Sequence, residues 1–173
     1  MNAAMNPSRD FVLTRTFDAP RELVWKAWTQ LDHLKQWFGP KGFMMPVATL
    51  DLRPGGIFHY AMQAPNGAMM WGKWTFIEVD APRKLVVIVS FSDAQGGITV
   101  HPMSASWPRE TISTTTFEEH DGKTTMTLHC NAYHATAEEQ ATFDASHESM
   151  RGGWAGTMDQ LAAYLAMAKA GQA

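Results

Sequence analysis

The chain has 173 residues and a formal net charge of −3, with an estimated pI of 6.1. It carries no run or stripe of lysine and arginine, so nucleic acid is not expected as a partner. No apolar run approaches the roughly 20 residues of a membrane span, so no membrane insertion is expected either. Cys130 is the single cysteine, which excludes an internal disulfide and a multi-cysteine zinc site. The opening "MNAAMNPSRD" lacks a basic start followed by an apolar stretch, which predicts no secretory signal and a cytoplasmic location. Twelve methionines and seven tryptophans stand out, and both residue types are common where a small molecule is held.

Hydrophobic periodicity divides the chain as follows. "FVLTRTFDAP" (11–20) alternates and stops at proline, which predicts a strand. "PRELVWKAWTQ" (20–30) is helical, with Leu23, Val24, Ala27 and Trp28 on one face and Pro20 suited to the first turn. "LDHLKQWF" (31–38) is a second short helix, with Thr29 as the expected cap. The turn "GPKG" (39–42) ends it. Strands are predicted at 45–52, 56–63, 70–79 and 84–91, and two more within 110–132, joined at Asp121-Gly122. Asp-Gly between alternating runs is a strong hairpin signal. Residues 92–108 read as one long irregular insert, of the kind that forms lids.

The last segment, 134–169, is predicted as a single helix, with Thr136 and Glu139 as a capping box. Phe143, His147, Met150, Trp154, Met158, Leu161 and Leu165 fall on one stripe of about 30 residues, or roughly 45 Å. Three glycines interrupt it. On a helical wheel Gly152 and Gly156 lie opposite the stripe. Their G-x-x-x-G face suits solvent, and a homodimer contact is the alternative. Gly153 lies at the stripe's edge, where a missing side chain is expected to leave cavity space that Gly153→Leu would fill.

Catalytic motifs are lacking. There is no G-x-S-x-G, and His147-Glu148 is not followed by the second histidine of a zinc protease, since Arg151 stands there. Gly152-Gly153-Trp154-Ala155-Gly156 has the wrong spacing for a phosphate loop. The seven histidines are dispersed, so neither a metal nor another cofactor is expected. Glu110, after Trp107-Pro108, is a candidate acid or base if burial raises its pKa, with a solvated strand-end carboxylate as the plainer reading.

Several stretches together carry a resemblance: "FDAPRELVWKAWTQLDHLKQWFGPKGF" (17–43), "DLRPGGIFHY" (51–60), "WPRETISTTTFEEHDGKTTMTL" (107–128) and "GWAGTMDQLAAYL" (153–165). They are similar, in the same order, to the bacterial single-domain members of the Hsp90-ATPase-activator-like family, within the START-like, Bet v 1-like (SRPBCC) superfamily. The resemblance implies an α+β helix-grip fold: a curved antiparallel sheet wrapped around a long C-terminal helix, with a hydrophobic cavity between them. It places one domain over residues 10–168, with tails at 1–9 and 169–173. Eukaryotic activators join such a domain to a separate N-terminal one, for which this chain has no length, so a chaperone role does not follow from the family's name.

With that fold, the expected cavity lining is Trp37, Phe43, Phe58, Tyr60, Met62, Trp71, Trp74, Phe91, Glu110, His147, Met150, Gly153 and Trp154. The expected function is binding of a small hydrophobic molecule, such as a lipid, a polyketide-like compound or an aromatic metabolite. The alternatives are a cyclase or hydrolase using the same cavity, and a protein-interaction module with an Hsp90-type chaperone as partner.

Overall fold

The computed structural model describes residues 10–171. The expected tail at 1–9 and the last two residues lie outside them. The described elements are β1 (Phe11–Phe17), α1 (Arg21–Thr29), α2 (Leu31–Trp37), β2 (Met44–Leu50), β3 (Ile57–Gln63), β4 (Met69–Asp80), β5 (Lys84–Ser92), β6 (Ile98–Thr99), β7 (Glu110–His120), β8 (Lys123–Tyr133), α3 (Ala137–Ala145) and α4 (His147–Gly171). The strands form an antiparallel sheet in the order β1-β8-β7-β5-β4-β3-β2, with β6 paired to the end of β5. The sheet and the long helix packed on it make the α+β helix-grip fold.

Alternation decides which face of the sheet is inside. Phe58, Tyr60 and Met62 of β3, Trp74 and Phe76 of β4, Leu85 and Val87 of β5, Phe117 of β7 and Met126 of β8 are buried in one cluster. Leu23, Val24 and Trp28 of α1, Leu34 and Trp37 of α2, and Met158, Leu161 and Leu165 of α4 close over it. A smaller cluster of Phe11, Leu128, Cys130 and Phe143 sits beneath α3. The β7–β8 hairpin turns at Asp121-Gly122, both with positive φ (52° and 76°), between the paired His120 and Lys123. That is the conformation for which Asp-Gly is selected.

Four features differ from the sequence reading. The terminal helix is not continuous: it breaks at Ser146, whose φ and ψ (−99°, 1°) are non-helical. Ser146 bonds backward, its N–H to Phe143 O and its hydroxyl to Thr142 O at 2.6 Å, an alternative to helix propagation open to short polar side chains. Thr136 does cap α3, accepting the Glu139 N–H at 3.2 Å. Thr29 does not cap α2. Its hydroxyl donates to Trp25 O at 2.7 Å inside α1, and Gln30 is the N-cap. Residues 92–108 are not irregular throughout. Asp93 Oδ1 accepts the N–H groups of Gln95 and Gly97, and the tight turn that results returns the chain as β6. Finally, α4 runs on to Gly171, two residues past the predicted helix end at 169, with Lys169 bonded to Asp18 at 3.3 Å.

The two ends of α4 are held differently. Its C-terminal half buries Met158, Leu161 and Leu165 and is tied by Arg15–Asp159 (2.7 Å) and by Tyr164 hydroxyl to His33 Nδ1 (2.6 Å). Its first ten residues bury no side chain completely, and Trp154 is only half-buried. Space is therefore left between that half and strands β5 and β7.

Candidate functional site

The space is an apolar recess in two adjoining parts. The outer part, about 200 Å³, is lined by the inner face of β3–β5 and by the segment leading into β7. Tyr60, Met62, Met70, Val89, Phe91 and Trp107 supply its walls. The inner part, about 90 Å³, lies deeper among Trp28, Phe38, Trp74, Leu128 and Trp154. Tyr60 and Val89 line both, so the two parts adjoin at these side chains.

Tyr60 is the pivotal side chain. It is buried, its ring stacks on Phe58 at 4.7 Å, and its cross-strand partner is Gly72. A Cβ at residue 72 would stand 2.5 Å from the Tyr60 hydroxyl, so only glycine leaves the ring its place. Burial pushes the Tyr60 phenol well above its ordinary value, and a hydrogen bond with the Trp74 side chain offsets part of that rise. The hydroxyls of Ser113 and Thr115 add the other polar groups of the inner part.

Trp28 carries an unusual buried group. It stacks between Trp74 (6.2 Å) and Trp154 (6.3 Å) and lines the inner part, yet its Nε1 has no hydrogen-bond partner among the described residues. A buried donor without an acceptor is costly, by about 1–3 kcal/mol.

The expected lining residues separate into groups. Tyr60, Met62 and Phe91 line the outer part, Tyr60, Trp74 and Trp154 the inner. Trp71 borders the outer part, but its ring stacks on His59 at 5.1 Å on the opposite face of the sheet, as its pairing with Ser92 and the alternation of β4 require. Phe58 is fully buried behind Tyr60 and is core. Trp37 is core as well, its Nε1 bonded to Ala27 O at 2.9 Å. Phe43 packs against the main cluster without reaching the recess. Glu110 opens β7 one residue before the inward-facing Thr111, Ser113 and Thr115, so it belongs to the outer face and not to the recess. His147 sits edge-on to Phe11 (5.8 Å) and Phe143 (5.2 Å) in the smaller cluster, its Nε2 buried and without a hydrogen-bond partner among the described residues. Met150 lines a separate surface hollow with His101, Ser104, Ser146 and Ser149, divided from the recess by Phe91 and Trp107.

Gly153 is the clearest correction. It is exposed, a Cβ there would meet nothing within 4 Å, and together with Gly152 and Gly156 it faces an open hollow beside Pro40 and Lys41. The glycine that makes room is Gly72. Its signal was in the sequence: a glycine inside an otherwise unbroken strand pattern marks a close approach. Trp107, at the end of the unpatterned 92–108 segment, and Arg109 and Thr111, where β7 begins, line the recess as well, without a sequence signal of their own.

Among the described residues no group of three or more His, Cys, Asp or Glu side chains is placed to hold a metal ion. No helix among them is long and apolar enough to cross a membrane.

A curved antiparallel sheet closed by a C-terminal helix, with an apolar recess between them, defines a START/Bet v 1-like helix-grip protein. The chain belongs to the family described as "Activator of Hsp90 ATPase homolog 1-like protein", whose profile matches residues 18–166. Among solved structures it is similar to a protein from Nitrosomonas europaea, with 24% identity and a TM-score of 0.76 over 96% of this chain and 99% of that one. A protein from Mycobacterium smegmatis shows 26% identity and a TM-score of 0.73, covering 91% and 90% of the two chains. One from Arthrobacter aurescens shows 26% identity and a TM-score of 0.75, covering 93% and 88%. No curated protein matches the chain.

Proposed function

We propose that the protein binds a small, largely apolar molecule in the recess between the sheet and the first half of α4. The observation that carries this reading is the unfilled space at Tyr60 and Val89, walled almost wholly by apolar side chains. Such a concave apolar site with a few polar groups is the usual form of a small-molecule pocket. The unpartnered Trp28 Nε1 adds to it, since an acceptor on a bound molecule would relieve its cost. A general acid–base enzyme has less support, because no carboxylate or histidine lines either part of the recess. A chaperone-partner role has only the family description behind it.

The test is a fluorescence titration. Trp28, Trp74 and Trp154 surround the inner part, so a panel of short fatty acids and single-ring aromatic compounds should give saturable changes in emission. Micromolar dissociation constants, about −8 kcal/mol, are expected. Val89→Trp places a large ring where the two parts adjoin and should abolish the response. A parent protein silent to the whole panel, or a Val89→Trp variant that binds as well as the parent, overturns the reading.

A further inference from the structure

The outer part of the recess has one charged lining residue, Arg109. It stands between the half-buried Trp107 and buried Pro108 on one side and the inward-facing Thr111 on the other, at the start of β7. Arg109 is exposed and makes no ion pair or side-chain hydrogen bond among the described residues. Among the described residues no aspartate, glutamate, lysine or histidine shares the lining with it. The chain as a whole is acidic, at −3, so an unpaired guanidinium at the mouth of an apolar pocket is a local reversal of sign.

We propose, resting on the pocket reading above, that the ligand is an amphipathic monocarboxylate whose acidic group is held by Arg109 at the mouth and whose apolar body lies against Tyr60, Val89, Phe91 and Trp107. A guanidinium matches a carboxylate by two parallel N–H···O bonds, which fixes the orientation of the ligand as well as its charge. The interior offers a short apolar body its place and a second charge none. Size narrows the class further. An apolar cavity of about 150 Å³ holds benzene. The outer part at about 200 Å³, with the inner 90 Å³ behind Tyr60, therefore takes on the order of ten non-hydrogen atoms. A single aromatic ring on a short acid chain fits, or a medium-chain fatty acid. A two-chain lipid does not.

The experiment compares a charged and a neutral probe of one shape, 3-phenylpropionate and 3-phenylpropan-1-ol, on the parent and on Arg109→Gln. Titrations are run at pH 7.5 in low and in moderate salt. The parent should bind the acid about tenfold more tightly than the alcohol, as a charge-assisted hydrogen-bonded pair at a half-open site provides. Arg109→Gln should remove that preference by weakening the acid alone, and raised salt should weaken only the acid on the parent. Unchanged alcohol binding by the variant shows that its pocket is folded. If parent and variant bind acid and alcohol alike, the carboxylate proposal fails while the pocket reading stands. If neither probe binds the parent, both fail.

Discussion

At the scale of single residues, glycines show how differently one residue type is used in this chain. Gly72 lies under the Tyr60 ring, and Gly72→Ala forces a Cβ to within 2.5 Å of the Tyr60 hydroxyl. The ring is packed against Phe58 and Phe38 and has little freedom to swing away. Overpacking of this kind costs about 1–3 kcal/mol, so the urea midpoint of Gly72→Ala should fall with the m-value unchanged. Probe binding should fall with it, because the only open direction for Tyr60 is into the recess. Gly153 is the opposite case: exposed, helical, with open space around it. Gly153→Ala should stabilise the fold by about 0.4–1 kcal/mol and leave probe binding as it was, checked by thermal melts and titration. The helical wheel misplaced Gly153 because it carries angle but not distance. The first turns of α4 stand away from the sheet, so a position at the edge of the apolar stripe opens to solvent there. Glu110 shows the complementary error. Its neighbours in sequence line the recess, but a strand sends adjacent side chains to opposite faces.

At the scale of elements, strong local signals survived and continuous ones did not. The Asp121-Gly122 hairpin, the Thr136 cap and the β3–β5 meander follow from turn chemistry and alternation, which need no tertiary information. The 134–169 segment keeps one apolar stripe across Phe143, His147 and Met150, so periodicity alone joins α3 to α4. The break is set by Ser146 and by where its ends pack: Phe143 and His147 meet Phe11 and Trp107, whereas Met158 to Leu165 enter the main core. The segment 92–108 was opaque because β6 has two residues and its turn is organised by one side chain, Asp93. The cap of α3 offers a direct check on this scale. Thr136→Ala removes the acceptor for the Glu139 N–H and should cost about 1 kcal/mol. Since α3 buries only Phe143, the loss should appear first as faster hydrogen exchange within 137–145, ahead of the core strands.

At the scale of the whole molecule, the sequence pattern identifies an apolar interior but not whether it is full. Tyr60 and Phe58 have the same alternation, and one faces empty space while the other is enclosed; only the stand-off of α4 separates them. The same interior sets the response of the fold to alkali. Three weak acids are held in their neutral forms, each mainly by burial: Cys130, Tyr60 and Tyr164 all titrate above their ordinary values of 9.0, 10.0 and 10.0. A folded-state pKa raised above the unfolded one gives stability that is complete below the unfolded value and is lost as pH rises through the folded one. In the unfolded chain these groups ionise from about pH 9 upward, while the native state resists. Stability should therefore be level with respect to these groups between pH 7 and 8.5. It should begin to fall near pH 9 as the Cys130 thiol ionises in the unfolded chain, and fall more steeply above pH 10 as the two tyrosines follow. Tyr164 is only half-buried and bonded to His33, so it contributes the least of the three. Urea melts at half-unit steps from pH 7 to 11 measure the slope. In Tyr60→Phe the decline above pH 10 should be shallower than in the parent. An equally steep decline in that variant would mean that Tyr60 ionises as freely in the folded protein as in the unfolded chain, and that water fills the recess around it.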